Sequence, residues 1–445
     1  MDGRREREAS AGQRRKADPE RVLASYPWVF DPQSLREQAG EPDRLWGLLD
    51  RLTDRLEYAE RDNVRAGLLS LRAVVSRVLG ELDDALADGR DALRHAEASG
   101  ELRPISIAQA RLAHVLQWRG EFAEADRRYE LADSPELPAR VRAEIRELAG
   151  RSAFEQGRYL EAVNHFETAL NIRQGADPEL VQRVELALDE ITRRTGDGGW
   201  GPYPRSRDEV LGLPAAPMPL QDEGTGLWGY AATVDPRYAQ AQPFAEGVAW
   251  VRRPDSAAWE LINQAGELLI GADAGYLDAG RFAEGLAWVR RQGGGWFAID
   301  RENRTVVPGG FEEALPFRHG MALTRAHGVW GAIDRRGRIA VPRRYQRFAT
   351  VLHAGGPVEG FTDEGLAVIE ENGRFGVLDR TGRQLVAPAH AAVVIHPSAF
   401  LISDETGAWG ALDRQGGPLV EVIHREAAEA AAEAERLVPE ARPVL

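Results

Sequence analysis

The sequence predicts a multidomain chain, α then β: an α-helical repeat array of paired helices at the N-terminal end, followed by an all-β domain of repeated units. Three observations carry that expectation. From about Pro42 to Arg194 apolar residues recur at helical spacing, as in Leu45, Leu48, Leu49 and Leu52. From about Leu227 the spacing turns alternating, the period of a strand. Within that second half, RFAEGLAWVRRQGGGWFAIDRENRTVVP (281–308) is nearly restated as PFRHGMALTRAHGVWGAIDRRGRIAVP (316–342). At 445 residues the chain exceeds what one core usually serves, so more than one domain is expected.

The opening residues 1–20 are charged and lack an apolar run, and are expected to be a disordered tail. Residues 21–195 are then expected to be helical repeats. Two segments share a plan there: ARLAHVLQWRGEFAEADRRYELA (110–132) and ELAGRSAFEQGRYLEAVNHFETA (147–169). A helix containing a small residue (Ala113, Gly150) leads to a turn at Gly120 or Gly157. A second helix follows with small–aromatic–small spacing at Ala125/Tyr129/Ala132 and Ala162/Phe166/Ala169. A weaker third copy carries Ala73, Gly80, Leu82, Ala85 and Ala92. Small residues let two helices approach, the aromatic fills the space beside them, and glycine ends the first helix in a left-handed conformation. One such pair cannot bury its own apolar face, so pairs stack. A closing helix is expected at 177–194, with Asp177 as N-cap and Pro178 in its first turn.

This pattern, over roughly 65–175, resembles the tetratricopeptide repeat (TPR) family. The resemblance implies a groove lined by the first helix of each pair, of a kind that holds peptides. By position Arg77, His114, Gln117 and Arg151 are the candidate groove residues.

Residues 196–226, dense in Gly and Pro, read as a linker. Residues 227–424 hold the β units. Four open on F-x-E-G or a relative of it (Phe244, Phe282, Phe317, Phe361), continue in a short strand, and reach an aromatic–x–x–x–Asp element, which recurs a fifth time without that opening. The aromatics are Trp259, Trp296, Trp330, Phe375 and Trp409, and the aspartates of the last four are Asp300, Asp334, Asp379 and Asp413. A D-R-x-G-like turn follows, then a third strand ending at a Pro that has no N–H to donate. The Trp supplies core area, the Asp holds turn amides, and the Gly after the Trp is expected to clear room for a neighbouring unit. HAGGPVEG (353–360) is expected to be a loop insertion. LWGYAATVDPRY, near Trp228, reads as an eroded further copy, and residues 425–445 as a short acidic helix or tail.

These residues look like the WG (KWG) repeat family of mainly bacterial proteins, across 227–424. Departures are Phe297 after Trp296, Glu260 after Trp259, and Phe375 in place of Trp. Three strands per unit leave open a solenoid or a propeller-like ring.

The function classes narrow by composition. A formal charge of −14 with no basic half argues against nucleic acid. No cysteine means no thiol nucleophile or disulfide, and no run approaches the ~18 apolar residues of a membrane span, so the cytoplasm is the expected compartment. No G-x-S-x-G, H-E-x-x-H, Walker or calcium-loop motif is present, and no cofactor, metal or catalytic residue is assigned. His390 and His396, the nearest histidine pair in sequence, read as structural. The expectation is a non-catalytic scaffold or adaptor with a protein or peptide partner. The alternative is a module that stacks glycan or cell-envelope material on exposed Trp296, Trp330 and Trp409.

Overall fold

The computed structural model describes residues 18–173, 177–213 and 215–439. The chain divides after Leu213 into a helical region and a β region. Most of the expected tail, residues 1–17, lies outside the described residues, as do 440–445.

The helical region runs α1 (Pro19–Ala24), a hairpin of β1 (Val29–Phe30) and β2 (Glu37–Gln38), then α2 (Pro42–Glu57), α3 (Asp62–Leu79), α4 (Leu82–Ser99), α5 (Leu102–Trp118), α6 (Phe122–Ala132), α7 (Ala139–Glu155), α8 (Tyr159–Arg173), α9 (Pro178–Gly198) and α10 (Arg207–Leu211). Helices α3/α4, α5/α6 and α7/α8 pack as pairs. Each pair turns on a left-handed glycine: Gly80, Gly120 and Gly157, with φ of 89°, 79° and 72°. The three turns share one hydrogen-bond pattern. The residue after each glycine donates back to a carbonyl five residues earlier, as in Glu81→Ser76 (2.9 Å), Glu121→Leu116 (2.9 Å) and Arg158→Ala153 (2.9 Å). At Gly150 a Cβ would lie 2.7 to 3.0 Å from three ring atoms of Phe166, so the glycine of α7 and the aromatic of α8 form one packing unit. Asp177 caps α9 through the Leu180 amide at 3.3 Å.

Two parts of this region differ from the sequence expectation. Residues 29–38 form a hairpin within the span read as helical, because Pro27 and Pro32 interrupt any helix and Asp31 organises the turn, accepting from the Gln33 amide at 2.8 Å. The stretch read as a linker contains α10, opened by a reciprocal Ser206/Glu209 capping box, and a strand at Pro219–Gln221. Arg205 ties it to the helices, donating to Asp126 (2.7 Å) and Glu161 (2.6 Å).

In the β region a three-stranded sheet (Pro219–Gln221, Trp228–Tyr230, Val234–Tyr238) precedes three four-stranded meanders spanning 240–270, 278–311 and 313–345. A fourth meander joins Arg347–Phe348 to Leu366–Glu371, Arg374–Asp379 and Gln384–His390. These four meanders therefore have four strands rather than three. The one missed is a two-residue strand, such as Asp278–Ala279 or Glu313–Ala314, too short to show alternation. The expected loop insertion carries its own ribbon: Val351–Leu352 and Gly356–Pro357 extend the last sheet to six strands, Leu352 pairing in parallel with Ile395. Among the described residues no strand pairing joins the sheets into a closed ring. Helix α11 (Ala427–Leu437) covers the last sheet, laying Ala430, Ala431 and Ala434 against Leu401, Ala411 and Val420.

The prolines do not stop the closing strands. Pro308, Pro342 and Pro388 lie inside Thr305–Phe311, Ile339–Tyr345 and Gln384–His390. Each of these strands is at the edge of its sheet, where a missing N–H leaves no ladder bond unmade.

Candidate functional site

In the helical region the candidate side chains stand at the ends of the first helices. Arg77 and Gln117 lie three residues before their turn glycines, and His114 and Arg151 lie six before, so all four share one helical face. That face is not solvated. The four side chains are between 1% and 6% exposed, because the chain's own N-terminal segment lies over them.

Leu35, Arg36 and Glu37 make the contact. Leu35, held at φ 59°, enters the apolar cluster of Phe154, Phe166 and Ile191. Arg36 grips Glu155 of α7, with Nη2 at 2.6 Å and Nε at 3.2 Å from both oxygens. Glu155 in turn accepts from Gln117 Nε2 at 2.7 Å, and Gln117 Oε1 accepts from Tyr129 at 3.0 Å. Glu37 reaches all three first helices: Arg77 of α3 at 2.9 Å, His114 of α5 at 3.5 Å and Arg151 of α7 at 3.1 Å. Burial alone would raise the Glu37 carboxyl, but the charges of Arg77, His114 and Arg151 outweigh it and hold the group far below the usual carboxylate range. The guanidinium of Arg151 also lies over the Phe30 ring, and those of Arg36 and Arg77 over Trp118.

Arg151 continues the network to Glu147 at 2.5 Å, and Arg183 of α9 joins Glu147 and Glu144. Beside Glu37 lies a cavity of about 440 Å³, walled by Tyr26, Trp28 and Phe30 on one side and Arg77, Arg151 and Arg183 on the other. The structure brings these four residues together on one face, and the sequence reading did not foresee the segment that covers them. The signal was present: a short LRE run after the aromatic-rich, proline-broken stretch YPWVFDP (26–32), which no helix pattern absorbed.

In the β region the repeated residues have local tasks. Each turn aspartate accepts from two amides: Asp300 from Glu302 and Arg304, Asp334 from Arg336 and Arg338, Asp379 from Thr381 and Arg383, Asp413 from Gln415 and Gly417, all at 2.7–3.1 Å. The glycine after the aromatic serves its own repeat, not a neighbour. A Cβ at Gly331 would meet the Val341 carbonyl oxygen at 2.6 Å, and one at Gly376 the Val386 oxygen at 2.5 Å, where the closing strand shifts register. Where Phe297 replaces that glycine, the facing strand supplies Gly309 and Gly310 instead of the Arg343 and Arg344 found one repeat later.

Contacts between repeats use other residues. Trp250 stacks on Phe282 and Trp288 on Phe317, at 6.1 and 5.5 Å between centroids. Their indoles donate to the Gly280 and Leu315 carbonyls at 2.9 and 2.8 Å. The E-G turns have both residues at positive φ (Glu246 52°, Glu284 54°), and each Glu accepts from the glycine amide of the next such turn: Gly285 to Glu246 and Gly320 to Glu284, both 2.9 Å.

The segments 233–253, 261–296, 296–328 and 330–375 match the family model of the WG containing repeat. Residues 233–375 carry WG repeats. The repeated aromatics of the WG repeats, Trp259, Trp296, Trp330 and Phe375, and Trp409 beyond the matched residues, are half-buried, and a guanidinium lies over three of them: Arg252 over Trp259, Arg290 over Trp296 and Arg347 over Phe375. No curated protein matches the chain. His396, read beside His390, instead packs edge-on against His353 at 5.0 Å. Among the described residues no helix is long and apolar enough to cross a membrane.

Proposed function

We propose that this protein is a non-catalytic scaffold or adaptor of the cytoplasm. Its helical region, a tetratricopeptide-like array, would hold a peptide or partner segment on the shared face of α3, α5 and α7, and its WG repeats would present a second surface. One observation carries the reading. A short non-helical segment already lies on that face, with a carboxylate 2.9–3.5 Å from side chains of three successive helix pairs. The acidic chain favours a protein partner over nucleic acid. A glycan-stacking role for Trp296, Trp330 and Trp409 draws less support, since each ring is half-buried and Arg290 lies over Trp296.

The test places a photo-reactive residue at Leu186, which is exposed and lines the cavity, and another at Tyr58, exposed on α2's end. Cross-linking in cells of origin should trap a partner polypeptide at 186 and not at 58. Equal labelling at both positions, or none at 186, would contradict the reading.

A further inference from the structure

We propose that residues 26–41 are a ligand held in cis, and that the same face binds in trans a partner segment presenting an apolar residue, an arginine and a carboxylate in succession. The inference rests on the scaffold reading and names the chemistry of its partner.

Three features of the contact support replacement by a foreign segment. First, the seat is specific. Leu35, Arg36 and Glu37 each meet a different receiving group: the Phe154/Ile191 cluster, the Glu155 carboxylate, and the Arg77/His114/Arg151 set. A segment with only acidic residues would leave Glu155 without its cation, and one with only basic residues would leave Arg77 and Arg151 without their anion. Either costs the desolvation of a buried charge. The receiving face thus reads an ordered triad.

Second, the segment is weakly organised in itself. Its hairpin has two residue pairs, Val29 with Gln38 and Phe30 with Glu37, fewer than a free hairpin needs to persist. Its triad also begins at a leucine in the left-handed region, a conformation that costs free energy at any residue with a Cβ.

Third, the cis segment leaves the face incompletely met. The cavity of about 440 Å³ lies between its aromatic side chains and the helices. Arg77, 1% exposed, gives only Nη1 to Glu37; its Nε and Nη2 have no hydrogen-bond acceptor among the described residues. A partner with one more acceptor, or a side chain that enters the cavity, gains contacts the cis segment does not make. The tether offsets that gain through its high local concentration, so the closed state dominates until such a partner is present.

The probe is a fluorescein-labelled synthetic peptide of residues 26–41, read by polarisation against the full chain. The wild-type chain should bind it weakly. The Glu37→Gln chain, whose own segment has lost its charge, should bind it at least tenfold more tightly, and a peptide carrying the same change should bind at least tenfold more weakly. A second measurement needs no variant: excess peptide should raise deuterium uptake in residues 26–41 of the wild-type chain while α3–α8 stay protected. Equal affinity for both chains, equal binding of a scrambled peptide, or no change in uptake would overturn the proposal. So would a dimer that grows with concentration and is dissolved by the peptide, since the occupant would then be a second copy. A partner cross-linked at residue 186 despite failure of the peptide tests would leave the scaffold reading standing without this mechanism.

Discussion

The glycine after the WG aromatic offers the sharpest perturbation of the β region. Replacing Gly331 by alanine places a Cβ 2.6 Å from the Val341 carbonyl oxygen and 2.9 Å from the Arg343 Cα. Ordinary contact begins near 3.4 Å, so the closing strand must retreat by about 0.8 Å or lose its bulged register between Trp330 and Ala332. Both obstacles are backbone, which cannot rotate away. Overpacking of this kind costs about 1–3 kcal/mol. For a region of this size, 2 kcal/mol lowers the midpoint by about 4–8 °C. Calorimetry of the full chain should show the β transition falling by that amount with the helical transition unmoved. The preceding repeat supplies an internal control. Phe297 faces Gly309 there, whose added Cβ would lie 2.9 Å from the Phe297 Cβ. Gly309→Arg and Phe297→Gly should each destabilise, while the pair, which restores the glycine–arginine arrangement of Gly331 and Arg343, should be less harmful than the sum by at least about 1 kcal/mol. Additivity within about 0.4 kcal/mol, or a Gly331→Ala midpoint within a degree of wild type, would refute the steric argument.

Three further outcomes are expected. Gly150→Ala should cost about 1–2 kcal/mol in urea unfolding despite alanine's better helix propensity, because its Cβ meets the Phe166 ring, and adding Phe166→Leu should recover part of the loss. Burial, then the nearby Arg146, lowers His165 to about 4; the neutral ring is favoured in the folded state, so its contribution is intact above the unfolded value of 6.5 and is lost as pH falls from 6.5 toward 4, by at most about 3 kcal/mol. Buried Glu144 is shifted upward and acts oppositely over part of that window, so the test is the difference between wild type and His165→Asn, which should shrink steadily from pH 7 to pH 4.5. Asp334→Ala removes the acceptor of the Arg336 and Arg338 amides and should lower β-region stability by about 1–2 kcal/mol, read in the same calorimetric transition.

Much of the architecture was written in short-range pattern. Gly80, Gly120 and Gly157 mark the helix turns because only glycine takes that conformation freely, and the small–aromatic spacing of Gly150 and Phe166 reports a real contact. The paired amides at Asp300, Asp334, Asp379 and Asp413 were likewise readable, since the turn is local. What escaped was decided at a distance. The two-residue opening strands exist only because a longer neighbour pairs with them. The prolines sit mid-strand because those strands are edges, a property of sheet order and not of sequence. The indoles that join repeats, Trp250 and Trp288, are not the WG tryptophans, and nothing in the alternation of VAWV or LAWV distinguishes which unit an inward ring will touch. Arg77, His114, Gln117 and Arg151 were placed in the groove by their positions in the tetratricopeptide-like pattern. Their occupant lies 40 to 114 residues away in the chain, from Glu37 to Arg77 and Arg151, and no local pattern connects them.

The account turns on Glu37 being bound to the helical face, and a double-mutant cycle between Glu37 and Arg151 measures that directly. Urea unfolding of wild type, Glu37→Gln, Arg151→Gln and the pair should give a coupling free energy of at least about 1.5 kcal/mol, within the range for buried contacting charges. A coupling indistinguishable from zero, with both single variants folded, would mean that the N-terminal segment does not occupy this face.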